Sequence, residues 1–202
     1  MPRVIETGMK MLRRSLALAG LFLLLASCEQ KPGFHGTDIT GAMPALSFSL
    51  TRANDGALVK AADYTGKIKI LYFGYTHCPD ICPTTLANLS DAMDKLGDKR
   101  RDVRILFVTV DPDRDTKSVM QSYAKAFAPE LDGLRGSANA VAALARRYRV
   151  AYGVTPVSPG QPYTVMHSDA VFFFDRDNRA RLVITSTDDV KAMAEDVETL
   201  LR

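Results

Sequence analysis

Ile68-Lys69-Ile70-Leu71-Tyr72-Phe73-Gly74-Tyr75-Thr76-His77-Cys78-Pro79-Asp80-Ile81-Cys82-Pro83 decides the fold class of this 202-residue chain. The run Ile68 to Phe73 is almost continuously apolar and β-branched, which predicts a central strand buried on both faces. Pro83 to Leu96 places Leu86, Leu89, Met93 and Leu96 three and four apart, the stripe of an amphipathic helix. A second apolar run, Val103 to Val110, follows, so strand, helix and strand form one crossover unit. Cys78 and Cys82 therefore fall at the carboxyl end of a strand, where a helix begins and where α/β folds expose reactive groups. Free N–H groups at a helix start favour a thiolate there. Such thiolates suit either redox exchange or soft-metal binding.

Working outward, Leu46 to Leu50 and Ala57 to Lys60 flank Asn54-Asp55-Gly56, a hairpin signal that opens the domain. Helices are expected over Thr116 to Phe127, capped by Asp115 or Thr116, and over Ala138 to Tyr148. Ala170 to Phe174 and Arg181 to Thr185 read as an antiparallel hairpin about Asp175-Arg176-Asp177-Asn178. A closing helix, about Asp188 to Leu201, turns Val190, Met193, Val197 and Leu200 inward. The expected order is β-α-β-α-α-β-β-α after the N-terminal hairpin, an α/β fold with a mixed central sheet flanked by helices. The sequence carries no internal repeat and no glycine-rich phosphate loop.

Residues 1–27 read as a leader, with Arg3, Lys10, Arg13 and Arg14 ahead of the apolar run Leu16 to Ala26. Eleven apolar residues are short of the roughly 20 that span a bilayer as a helix, which argues against a retained transmembrane anchor. Leu25-Ala26-Ser27-Cys28 resembles the bacterial lipobox. The resemblance implies cleavage before Cys28 and lipidation of its sulfur, making Cys28 a lipid anchor. Residues 28–43, with Pro32, Gly33, Gly36 and Gly41, are expected to be a tether, and 44–202 the folded domain. The leader takes four of the 26 basic and one of the 23 acidic residues, leaving 22 of each. A neutral mature chain without a clustered basic face excludes nucleic acid as an expected partner.

Of three cysteines, Cys78 and Cys82 then remain. A structural disulfide closing so short a loop would stabilise little, since the entropic gain grows with loop length. Redox motifs of the thioredoxin type use two intervening residues; here there are three. The spacing permits a redox disulfide between Cys78 and Cys82, and it also leaves room for an ion. A further ligand would have to come from three histidines. His35 lies in the tether and reads as a solvated loop residue. His77, adjacent to Cys78, is awkwardly placed to share an ion with it. His167, in Tyr163-Thr164-Val165-Met166-His167-Ser168 just ahead of a core strand, could fold back over the cysteines or be a hydrogen-bonded structural histidine. Met166 offers a soft thioether, but an extended segment points it away from His167, and core packing is its expected role. Asp111, in Asp111-Pro112-Asp113-Arg114-Asp115-Thr116, closes the second core strand and reads as an acid that orients a ligand from behind, or as part of a turn.

Tyr72 to Pro83, Asp111 to Thr116 and His167-Ser168 together resemble the Sco family of copper chaperones, over roughly residues 45 to 200. The resemblance implies a thioredoxin-like fold and one copper, as Cu(I) or Cu(II), held by Cys78, Cys82 and His167. It also implies a role in building the dinuclear copper centre of cytochrome c oxidase subunit II, by delivering copper or reducing cysteines. Other periplasmic copper chaperones or thiol reductants would be further partners. With the leader, it places the domain in the bacterial cell envelope, anchored to the membrane and facing the periplasm. Family members often carry an acid where Met166 stands, a departure that bears on the tuning of His167. The rival expectation is a metal-independent thiol-disulfide oxidoreductase using the same two cysteines.

Overall fold

The structure, a computed structural model, describes residues 33–155 and 163–202. The leader and Cys28 lie outside the described residues. In chain order the elements are β1 (Thr37–Asp38), β2 (Ser49–Arg52), β3 (Leu58–Lys60), β4 (Ile68–Gly74), α1 (Ile81–Lys95), β5 (Val103–Thr109) and α2 (Lys117–Phe127). They continue as β6 (Leu131–Arg135), α3 (Ala138–Arg147), β7 (Tyr152–Thr155), β8 (Thr164–His167), β9 (Val171–Phe174), β10 (Ala180–Ile184) and α4 (Val190–Leu201). Among the described residues no helix is long and apolar enough to cross a membrane.

Every residue of β4 is buried, as its continuous apolar run requires. It pairs in parallel with β5, Ile68 opposite Val103 through Gly74 opposite Thr109, and antiparallel with β9. The full sheet runs β1-β10-β9-β4-β5-β6-β2-β3, with β7 and β8 forming a separate two-stranded ribbon. The expected mixed sheet and N-terminal hairpin are present, with Gly56 at φ 81° in the β2–β3 turn. One charge interrupts the central strand. Lys69 is fully buried, and its ammonium donates to the carbonyls of Lys67 (2.9 Å), Arg176 (3.2 Å) and Asp175, so it ties β4 to the β9–β10 turn.

The β7–β8 ribbon was not expected, and three further findings depart from the sequence reading. β6 was not anticipated, because Leu131-Asp132-Gly133-Leu134-Arg135 carries an acid and a glycine in a buried strand. Asp132 is accommodated by the Tyr64 hydroxyl, which donates to it at 2.8 Å. Gly133 lies under α2, where a Cβ would stand 3.1 Å from the Met120 methyl. α1 begins at Ile81 instead of near Pro83. Proline in a first turn costs nothing there, since its missing N–H would have no intrahelical partner. Residues 34–43 are also not a free tether, since β1 adds to the sheet edge and Phe34, Ile39 and Met43 pack on the core. His35 is held as well: its N–H donates to Asp196 (2.7 Å) and its Nε2 lies 2.8 Å from Glu195.

Candidate metal centre

The site starts from the loop after β4. Gly74 ends the strand against Cys82, and a Cβ there would stand 2.9 Å from the Cys82 sulfur and 2.7 Å from the Phe107 ring. Only glycine lets the sulfur approach the strand this closely. Cys78 is half-buried and Cys82 fully buried; both are free thiols. The Cys82 N–H donates to the Cys78 sulfur at 3.4 Å, so one candidate ligand serves an unpaired donor of the first turn of α1.

Asp115, one of the two caps the sequence offered for α2, instead holds this loop in place. Thr116 is the cap, accepting from Val119 N–H. The fully buried Asp115 carboxylate accepts from Thr76 N–H (3.0 Å), Thr76 Oγ1 (2.5 Å) and Thr109 Oγ1 (2.6 Å). With its one proton given to Asp115, the Thr76 hydroxyl accepts from His77 Nδ1 at 3.1 Å. His77 thus belongs to the loop's support, with its Nδ1 3.6 Å from Asp115. Thr-x₅-Asp across a strand end would have been the only signal, too weak to single out.

The third candidate ligand arrives on the β7–β8 ribbon, where His167 pairs with Tyr152. Its Nδ1 lies 2.9 Å from the Ser168 carbonyl, which can only accept, so Nδ1 carries a proton and, in the neutral imidazole, Nε2 is the nitrogen that presents a lone pair. That Nε2 is 3.1 Å from the Cys82 sulfur. Tyr72 and Tyr75 meet the imidazole edge-on at 6.0 and 5.8 Å. The ligand atoms of Cys78, Cys82 and His167 all lie within 4.8 Å of one another. Two sulfurs and an imidazole nitrogen are donors for a soft or borderline ion such as copper. Hydrogen bonding of Nδ1 to a carbonyl is the usual way a metal-binding histidine is oriented.

Met166 follows the alternation of β8 away from the site, but it is 67 % exposed, so the expected core packing is wrong. The alternation that turns His167 toward the cysteines turns Met166 to the opposite, exposed face of the ribbon. Asp111 supports the site at one remove. It accepts from the Tyr163 hydroxyl (2.6 Å) and from Arg114 Nε, while the Arg114 guanidinium lies 3.8 Å over the Tyr163 ring. Arg114 also donates to the Tyr163 carbonyl at 3.0 Å. The acid therefore anchors the residue from which β8 departs toward His167.

Burial pushes the Cys82 thiol up to about 12, against a smaller opposing contribution from a backbone hydrogen bond in the Tyr75 loop. The helix start was expected to favour a thiolate, and at Cys82 desolvation outweighs it. A thiol whose folded pKa is raised stabilises the fold below the unfolded value near 8.5 and loses that contribution as pH rises toward about 12. The metal-free domain is expected to melt progressively lower across that window. Comparing melting curves with those of Cys82→Ala, in which the slope should flatten, isolates this thiol from Lys69, whose burial lowers its pKa to about 8.

Residues 39–202 match the SCO1/SenC family. The chain is 41% identical to bovine (Bos taurus) mitochondrial SCO2 homolog over 150 residues, covering 70% of this chain and 56% of that protein. It spans about half the length of the curated relatives it matches. The fold superposes on Bradyrhizobium japonicum ScoI, a structure with copper bound, with TM-score 0.71 and 34% identity over 77% of this chain and 98% of that one. The apo Sco1 of Thermus thermophilus gives TM-score 0.74 and 33% identity over 83% and 97%.

Proposed function

The chain belongs to the SCO1/SenC family, and from that premise we propose that it carries one copper ion on Cys78, Cys82 and His167 and passes it to the dinuclear copper centre of cytochrome c oxidase subunit II. The observation that carries this reading is the meeting of two free thiols and an imidazole nitrogen within 4.8 Å. In this reading the domain works outside the cytoplasm, held to the membrane through lipidated Cys28. Loading releases a proton from each thiol to solvent, and at the buried Cys82 the ion takes the place the proton held. Three protein donors leave the ion open to a fourth neighbour. A target thiolate enters there, and each sulfur that releases copper takes back a proton.

His167→Ala is expected to weaken Cu(II) binding at least about tenfold, or ~1.4 kcal/mol. Cu(I) should be affected less, because two thiolates still hold it. Competition against chelators under anaerobic conditions measures both, and an unchanged Cu(II) affinity would remove His167 from the centre.

The closeness of the two sulfurs also supports a thiol-reductase reading. Cys78 attacks a target disulfide, the mixed disulfide is resolved by Cys82, and two electrons leave the pair as a Cys78–Cys82 disulfide. Complementation of oxidase assembly with Cys78, Cys82 and His167 variants, with and without added copper, separates the two. Copper delivery predicts that His167→Ala fails and that added copper rescues it; a reductase predicts that the variant assembles the oxidase unaided.

A further inference from the structure

A second polar side chain lies on the face of β4 that Cys82 packs against. Tyr72 is fully buried, and its hydroxyl has no hydrogen-bond partner among the described residues. An unpaired buried hydroxyl is costly, and native folds rarely keep one without a use for it. Tyr72 and Gly74 lie two apart on one strand and face the same side of the sheet. Gly74 is the position whose Cβ would meet the Cys82 sulfur. The Tyr72 ring also lies edge-on to His167. The Cys82 sulfur and the Thr85 side chain are among the polar groups around its hydroxyl. The hydroxyl is thus enclosed beside a thiol, which is a weak acceptor, whereas a thiolate accepts strongly.

We propose that Tyr72 is a positioning residue for the bound ion: when Cys82 becomes a metal-bound thiolate, the Tyr72 hydroxyl donates a hydrogen bond to it. The inference rests on the copper-binding reading above. A hydrogen bond to the sulfur withdraws electron density from it, which favours Cu(I) over Cu(II), as hydrogen bonding around a copper-bound cysteine sulfur is known to tune potential. The donor is unsatisfied without metal and satisfied with it. Part of the unpaired hydroxyl's cost is recovered on loading.

Tyr72→Phe in the full chain removes the hydroxyl and keeps the ring. Melting temperature without metal, Cu(I) affinity and the sulfur-to-copper(II) charge-transfer band are to be measured beside wild type and Thr85→Val. The metal-free variant should melt at or above wild type. Its Cu(I) dissociation constant should rise about tenfold, as expected for losing a hydrogen bond to a charged sulfur. Its charge-transfer band should move to longer wavelength, and Thr85→Val should leave the band in place. A purely structural tyrosine would lower the metal-free melting temperature, or prevent folding, and leave band and affinity unchanged. Either result overturns the proposal, as would a shift in Thr85→Val alone. If wild type itself takes up no copper, the functional reading fails; if wild type binds and Tyr72→Phe matches it, only this inference does.

Discussion

Cys82→Ala is expected to abolish copper retention, lowering Cu(I) affinity by at least ~1,000-fold, or about 4 kcal/mol. One sulfur and one imidazole remain, and the lost donor is the one nearest His167 Nε2, at 3.1 Å. The fold should survive. A buried free cysteine behaves as a small hydrophobe, and truncating it removes one sulfur atom from a core that extends from Leu46 to Leu200, at a cost of about 1 kcal/mol. Measured together, metal affinity and unfolding free energy should therefore separate by several-fold in energy. A variant that lost both in proportion would show that Cys82 acts through packing and not as a ligand.

The largest effect on stability is expected at Asp115. Asp115→Ala strands Thr76 N–H, Thr76 Oγ1 and Thr109 Oγ1, three donors around a carboxylate with no solvent exposure. Unmade hydrogen bonds of this kind sum to about 3 kcal/mol or more. For a chain of this size that lowers the melting temperature by about 6–12 °C. Urea unfolding gives the same quantity from the shift of the midpoint. Because Asp115 pins the Thr76-His77 segment that leads into Cys78, the variant should also bind copper more weakly. Asp115→Asn keeps one acceptor oxygen and should recover roughly half the loss. A stability change below about 1 kcal/mol in Asp115→Ala would show that the loop stands without it.

How far the sequence reading reached follows from where its signals are local. β4 and β5 declare themselves by unbroken apolar runs, and all of β4 is in fact buried. α1, α3 and α4 were placed by the apolar stripe along one face and α2 by its capping residue, within two residues of their ends. β6 escaped because Asp132 and Gly133 break the apolar pattern. Their justification, Tyr64 and Met120, is 68 and 13 positions away in the chain. β7 and β8 escaped for a similar reason: a short ribbon beside a proline- and glycine-rich stretch has too few residues to show alternation.

The metal centre divides in the same way. The two cysteines share a short segment and were found by spacing alone. His167 is 85 positions from Cys82, and residue chemistry left it undecided between ligand and structural histidine until the β7–β8 ribbon brought it to the sulfur. Asp115 and Tyr72 lie inside the blocks that carry the resemblance, yet nothing local marks their roles, since an acid ahead of a helix and a tyrosine in a core strand are ordinary. The raised Cys82 thiol was likewise invisible, because helix position can be read from a sequence and depth of burial cannot.

The central claim is that Cys78, Cys82 and His167 form one copper site. Anaerobic copper titration of the reduced protein, followed by X-ray absorption at the copper edge, tests it most directly. The expected result is saturation at one copper per chain with two sulfur neighbours and one nitrogen neighbour. Copper that fails to saturate at one equivalent, or that shows no sulfur neighbours, would contradict it.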